Sequence, residues 1–255
     1  MRIDTIWATA GAVLLGFAIS NPAIAEDLTS DILSRFVTDY AQDPMIQSET
    51  FGIEVDGARW HVVANRADRD AQLHKGFPES PVFYFKTTAE ILQRIDAGQL
   101  TGLTAMAAAT SADITPLDVL YSEGYTKPDD YDARLRPLIF HFWTRGLPEV
   151  VPFGAEYSRI VHGAPGTVMY YAKDFRSAVY HIPPRLGADQ APTMAVPFPR
   201  LLVTLAGTMT GTVGGAEFVA PAGQFVFVPP NLPAHVWNDG DQQLDLMFLM
   251  FGDGA

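Results

Sequence analysis

The chain has 255 residues, 48% of them hydrophobic and 11% aromatic, and carries a formal net charge of −12. Its length allows one large or two ordinary domains with a sizeable core, and the sign of the charge argues against a DNA or RNA partner and against anionic lipid surfaces. Cysteine is absent, which excludes disulfides, thiolate ligands and a cysteine nucleophile and leaves His and carboxylates for any metal site.

Residues 1–25 read as a secretory leader. Arg2 gives a basic start, residues 8–19 form an apolar run too short to span a bilayer, and Asn21 and Pro22 break it. Ala23, Ile24 and Ala25 supply a small-x-small pattern, which predicts cleavage after Ala25, a mature chain beginning at Glu26, and a periplasmic or secreted location. Nothing later is long and apolar enough for a transmembrane helix.

Residues 28–42 predict an amphipathic helix, with Leu28, Ile32, Leu33, Phe36, Val37 and Tyr40 on one face. A hairpin follows: Phe51, Ile53 and Val55 alternate with polar positions, Asp56 and Gly57 turn the chain, and Trp60, Val62 and Ala64 alternate again. Residues 82–85 read as a strand. Thr87 and Glu90 have the spacing of a capping box for a helix containing Ile91, Leu92 and Ile95, closed by Gly98. Residues 103–109 suggest a second helix. The polar, turn-rich stretch 121–136 is the candidate linker. Beyond it, strand signals recur at 167–171, 177–182, 201–205, 208–213, 217–219, 224–228, 235–238 and 244–251, punctuated by Gly or Pro, which is an all-β pattern.

Two resemblances refine this. Phe85 to Leu92, then Ile95 to Thr101, then Leu103 to Met106 are similar in order and spacing to sterol-carrier-protein-type domains. That likeness covers about residues 28–118 and implies an α+β unit with a hydrophobic tunnel for acyl or sterol-like molecules. The same residues also suit a small filled core. In the second half, Gly223, Pro229, Pro230, His235 and Asn238 resemble the second conserved motif of the cupin family, and residues 201–207, ending in Gly207, resemble the close of its first motif. The expected fold is therefore an α+β N-terminal domain (26–120), a linker (121–136) and an all-β double-stranded β-helix, a cupin-type, jelly-roll-like barrel (137–255).

In metal-binding cupins the His of that second motif is a ligand, which nominates His235. Its companions are missing. Counting back from Gly207, the family's Glu falls near Pro199 or Arg200 and its His pair falls on residues 192–195. One imidazole cannot replace the hydration shell of a dication, so no cofactor is expected and a divalent metal is disfavoured, unless His162 or His181 approaches His235. The expected site is a small-molecule pocket lined by His235, Trp237, Arg200, Met194 and Tyr180, with Arg200 able to hold a carboxylate. The leading expectation is a non-catalytic, exported binding protein for a hydrophobic or amphipathic small molecule. The alternatives are a metal-dependent cupin enzyme of dioxygenase or isomerase type, and a barrel that serves as a homodimerisation module. No nucleophile elbow, phosphate loop, dinucleotide fingerprint or zinc-protease motif occurs.

Overall fold

A computed structural model describes residues 22–108, 113–144, 150–161, 163–187, 189 and 191–255. Most of the expected leader, and His162, lie outside the described residues. The N-terminal half runs α1 (Pro22–Gln42), β1 (Glu49–Val55), β2 (Ala58–Asn65), β3 (Asp70–Lys75), β4 (Phe83–Thr87), α2 (Ala89–Asp96), α3 (Gly102–Met106), β5 (Asp118–Tyr121), α4 (Tyr131–Pro137) and a π-helical turn, Leu138–Phe142. Its sheet has the order β3-β2-β1-β4-β5, with β1 and β4 parallel.

Local chemistry explains most of these boundaries. Asp56 and Gly57 take φ of 49° and 87°, the left-handed pair that a tight hairpin of right-twisted strands requires. α1 is already helical at Pro22, the first described residue, so it extends further toward the N-terminus than the apolar periodicity predicted. The predicted face of α1 is buried at Ile32, Leu33, Phe36, Val37 and Tyr40, while Leu28 stays exposed. The cap of α2 sits one residue later than predicted: Thr88 Oγ1 accepts from Ile91 N at 3.3 Å, while Thr87 Oγ1 donates to the Pro116 carbonyl at 2.9 Å. β3 was not expected, because its mostly exposed edge position leaves no buried face to mark it in the sequence.

The segment expected to be a linker belongs instead to the first core. Tyr131 is buried in it, and Arg134 donates to Glu49 Oε2 at 2.6 Å and to Oε1 at 2.7 Å, a two-pronged ion pair from α4 to β1. The aromatic run after it, which the expected boundary assigned to the barrel (137–255), is helical. Phe142 packs edge-on against Phe51 at 5.0 Å and Trp143 against Phe85 at 5.2 Å, so the first core extends to Trp143. Gly102 is where that indole lands: a Cβ there would lie 2.5 Å from Trp143 Cβ.

The C-terminal half contains β6 (Arg159–Val161), β7 (Ala164–Ala172), β8 (Phe175–Ile182), β9 (Thr193–Met194), β10 (Arg200–Ala206), β11 (Thr208–Val213), β12 (Ala216–Pro221), β13 (Phe225–Val228), β14 (Ala234–Trp237) and β15 (Leu244–Phe251). All eight predicted strands are present. The two that were missed, β6 and β9, have only three and two residues, too few for alternation to show. The strands form two antiparallel sheets, β13-β10-β15-β8-β7-β6 and β12-β11-β14-β9. One core joins them, with Leu202, Leu246 and Phe248 from the first meeting Met209, Ala220 and Ala234 from the second. Among the described residues no ladder connects the two sheets, so the arrangement is a jelly-roll-like pair of sheets rather than a closed barrel. Gly207 turns the chain from one sheet to the other at φ 75°, where a Cβ would meet the Gln243 carbonyl oxygen at 2.6 Å.

Thr104 of α3 fastens the halves together. It is fully buried, its Oγ1 accepts from Val168 N at 3.0 Å, and Thr101 Oγ1 donates to it at 2.9 Å. Phe140 packs against Tyr170 beside this contact, with the ring centroids 4.9 Å apart and the planes tilted by 34°.

Asn238, the last residue of the cupin-like motif, is a structural clamp. It is fully buried, and its Nδ2 donates to the carbonyls of Ile182, Pro183 and Gln242 at 3.2, 3.1 and 2.8 Å, while Oδ1 accepts from Gly240 N. Two Nδ2 hydrogens and Oδ1 make three of these bonds at a time, so at about 1 kcal/mol for each bond lost, Asn238→Ala should cost about 3 kcal/mol in urea unfolding. A loss below about 1 kcal/mol would show that the side chain does not clamp the sheet ends.

Candidate functional site

Alternation along the strands decides which side chains enter the space between the two sheets. β10 sends in Arg200 and Leu202, β8 Tyr180 and Ile182, β15 Phe248 and Met250, and β14 Ala234 and Val236. With Met194 of β9 and Phe198 from the connection before β10, they surround a cavity of about 530 Å³. Its size falls in the range of small-molecule sites, and its walls are mostly apolar.

Of the five residues expected at this site, Arg200, Met194 and Tyr180 line the cavity, whereas His235 and Trp237 do not. The physical reason is the period of two: once Ala234 and Val236 face in, His235 and Trp237 must face out. Their rings lie 5.1 Å apart on that outer face, and His235 Nε2 is buried there without a hydrogen-bond partner. Motif spacing singled out the imidazole but does not carry strand facing, and an error of one residue exchanges inside for outside.

The donor set does not fit a divalent cation. Among the described residues no three His, Asp or Glu side chains converge. Near the position where the resemblance placed a carboxylate, the inward side chain is the Arg200 guanidinium, which repels a dication. His181 faces away from the cavity on β8 and is fully engaged: Nδ1 lies 2.8 Å from Asp245 Oδ1, and Nε2 lies 2.5 Å from the Phe153 carbonyl.

Arg200 is only 1% exposed. Its Nη2 donates to the carbonyls of Met194 at 3.2 Å and Leu232 at 3.0 Å, which ties β9 and the turn before β14 to β10. Among the described residues Nε and Nη1 have no partner, and no carboxylate pairs with the group. Burial pulls its pKa below the usual guanidinium value. Removing an ion from water without a counter-charge costs several kcal/mol, so this cation is poised for one. A second guanidinium, Arg176 of β8, lies over the Tyr171 ring at 4.8 Å and the Phe198 ring at 5.8 Å, with its Nε unpartnered. The described lining includes both guanidiniums and no Asp or Glu, in a chain of net charge −12. Arg176 was not singled out from the sequence. The available signal was its period-two relation to Tyr180, which places both on one face of β8.

A second cavity of about 330 Å³ lies where the halves meet, between Gly102 and Leu103, Phe140 and Trp143, and Val168 and Met169. Trp143 Nε1 is buried without a partner beside it. The N-terminal core itself is filled by interlocking rings, including Phe36, Phe51, Phe83 and Phe85.

No family model and no curated protein matches the chain. Among solved structures, it is 15% identical to an RmlC-like cupin from Shewanella frigidimarina over 37% of its own length and 80% of that chain, with a TM-score of 0.33. It is also 15% identical to a cupin 2 conserved barrel domain protein from Salinispora arenicola, over 41% of its length and 88% of that chain, at 0.34. To the Schizosaccharomyces pombe Cnp3 cupin domain it is 13% identical, over 55% of its length and 80% of that chain, at 0.34. These neighbours are cupin-type proteins, and none says what this chain binds.

Burial pushes the Tyr180 hydroxyl from its ordinary value near 10 up to about 12, with Arg159 pulling the other way. The folded state thus holds this proton more tightly than the unfolded chain does. Its contribution is intact below about pH 10 and is lost as the pH rises toward about 12. Tyr180→Phe should therefore show a shallower loss of stability across that window in denaturant titrations. Tyr40, also raised to about 12 by burial, contributes equally to both proteins. Equal slopes would place the Tyr180 hydroxyl in contact with bulk water.

Proposed function

We propose that this chain is a non-catalytic binding protein for a hydrophobic or amphipathic small molecule held between the two sheets of its C-terminal half. The observation that carries this reading is the cavity of about 530 Å³, with apolar walls broken by two guanidiniums and one phenol. The described lining offers neither a set of metal donors nor a nucleophile–base pair. The reading rests on this cavity, not on the sterol-carrier-like resemblance of the N-terminal half. It needs no cofactor, and elemental analysis finding stoichiometric iron, manganese, nickel or zinc would replace it with the enzyme reading.

Nile red, a neutral dye that brightens in apolar surroundings, tests occupancy directly. The wild-type protein should enhance its emission saturably, and native mass spectrometry of protein taken from its host should show a bound small molecule. Ala234→Phe puts a ring into the cavity from β14 and should abolish the enhancement. His235→Ala, on the other face of the same strand, should leave it unchanged. A wild-type protein that neither carries a ligand nor takes up the dye would end the proposal.

Export and self-association accompany this reading as further proposals. The leader pattern supports the first. Phe225 and Phe227, exposed along the edge strand β13, give a homodimer an apolar surface to cover. Intact mass and light scattering of protein expressed with residues 1–25 test both. The expected species begins at Glu26 and has twice the monomer mass; an uncleaved monomer would remove both ideas.

A further inference from the structure

We infer that the cavity selects an organic acid, an amphipathic molecule whose carboxylate pairs with Arg200 and whose apolar body lies against Phe248 and Met250. This deepens the binding reading and rests on it. Arg200 is almost wholly enclosed, lines the cavity, and leaves Nε and Nη1 without partners among the described residues. Buried polar groups in folded proteins are satisfied as a rule, and an exception calls for a reason. A guanidinium offers donors in a planar fork that matches carboxylate geometry.

The surroundings point the same way. No acidic side chain lies in the described lining to neutralise Arg200 internally, although Asp and Glu outnumber Lys and Arg in the chain by 29 to 17. Charge inside low-dielectric walls acts far more strongly than the same charge on the surface. An acid entering the cavity therefore meets positive potential, whereas the outside of the molecule is negative on balance. Arg176 is only partly buried and keeps contact with solvent and two rings, so the enclosed charge that remains to be matched is one. A singly charged carboxylate meets that need, and a phosphate brings excess charge into apolar walls. The Tyr180 phenol, a donor on the same wall, makes no hydrogen bond to the described residues and is free to bond a ligand oxygen.

Displacement of Nile red by octanoate, octanol and octyl phosphate tests the assignment, because the three share one tail and differ in head group. Octanoate should displace the dye at a concentration at least about tenfold lower than octanol, equivalent to about 1.4 kcal/mol, and should also outcompete octyl phosphate. Arg200→Met, with its fold checked by circular dichroism, should erase the advantage of the acid over the alcohol. Arg200→Lys, which keeps the charge and loses the fork, should reduce it. If Arg200→Met does not fold, the wild-type ratio of octanoate to octanol still decides. Equal displacement by acid and alcohol, tighter binding of the phosphate, or an acid preference that survives in Arg200→Met would each overturn the inference while leaving the binding reading intact. Failure of the dye itself to bind would instead remove the underlying reading.

Discussion

Every strand of the C-terminal half sends successive side chains to opposite faces, and two sheets packed together can cover only one face of each. That constraint decides the chemistry of this protein. On β10 it encloses Arg200 with Leu202; on β14 it encloses Ala234 and Val236 and leaves His235 outside. A shift of one residue on β14 would bring an imidazole into the cavity. As the sheets stand, the interior presents cations and apolar surface where a metal would need anionic or neutral donors. Among the described residues, facing and ligand count both leave this cavity without a set of metal donors.

The N-terminal half builds its rigidity by different means. Its core depends on rings that meet edge to face, and its periphery on a few charge-assisted bonds, of which Arg134 to Glu49 is the best formed. The polar stretch 121–136 is drawn into this core because Tyr131 has somewhere to go, and the aromatic run after it follows because Trp143 fits against Gly102. Thr104 then passes that order to β7 through the Val168 backbone. The sheet that carries Tyr180 and Arg176 is therefore braced from behind by a packed domain, which favours a cavity of fixed shape over a collapsible one.

An enclosed, unpaired guanidinium is a feature that a protein optimised for stability alone would replace with an apolar side chain. Arg200 is retained although its neighbours supply only two carbonyls. Its partial satisfaction gives it enough bonds to hold its position and, among the described residues, leaves two nitrogens over, which is what the proposed binding reading draws on. In a strongly acidic molecule, such a site separates what the interior attracts from what the surface repels.

The sequence by itself determined the strand content of the second half, the Asp56–Gly57 hairpin, the buried face of α1, and the candidacy of Arg200, Met194 and Tyr180, because each follows from period, turn chemistry or residue type within a few positions. Tertiary structure alone decided that residues 121–143 join the first core, that β3, β5, β6 and β9 are strands, and that His235 and Trp237 turn outward while Arg176 turns in. Those outcomes depend on which surface each segment finds to cover. For a four-residue strand such as Ala-His-Val-Trp, both faces are plausible cores until a second sheet arrives to choose one.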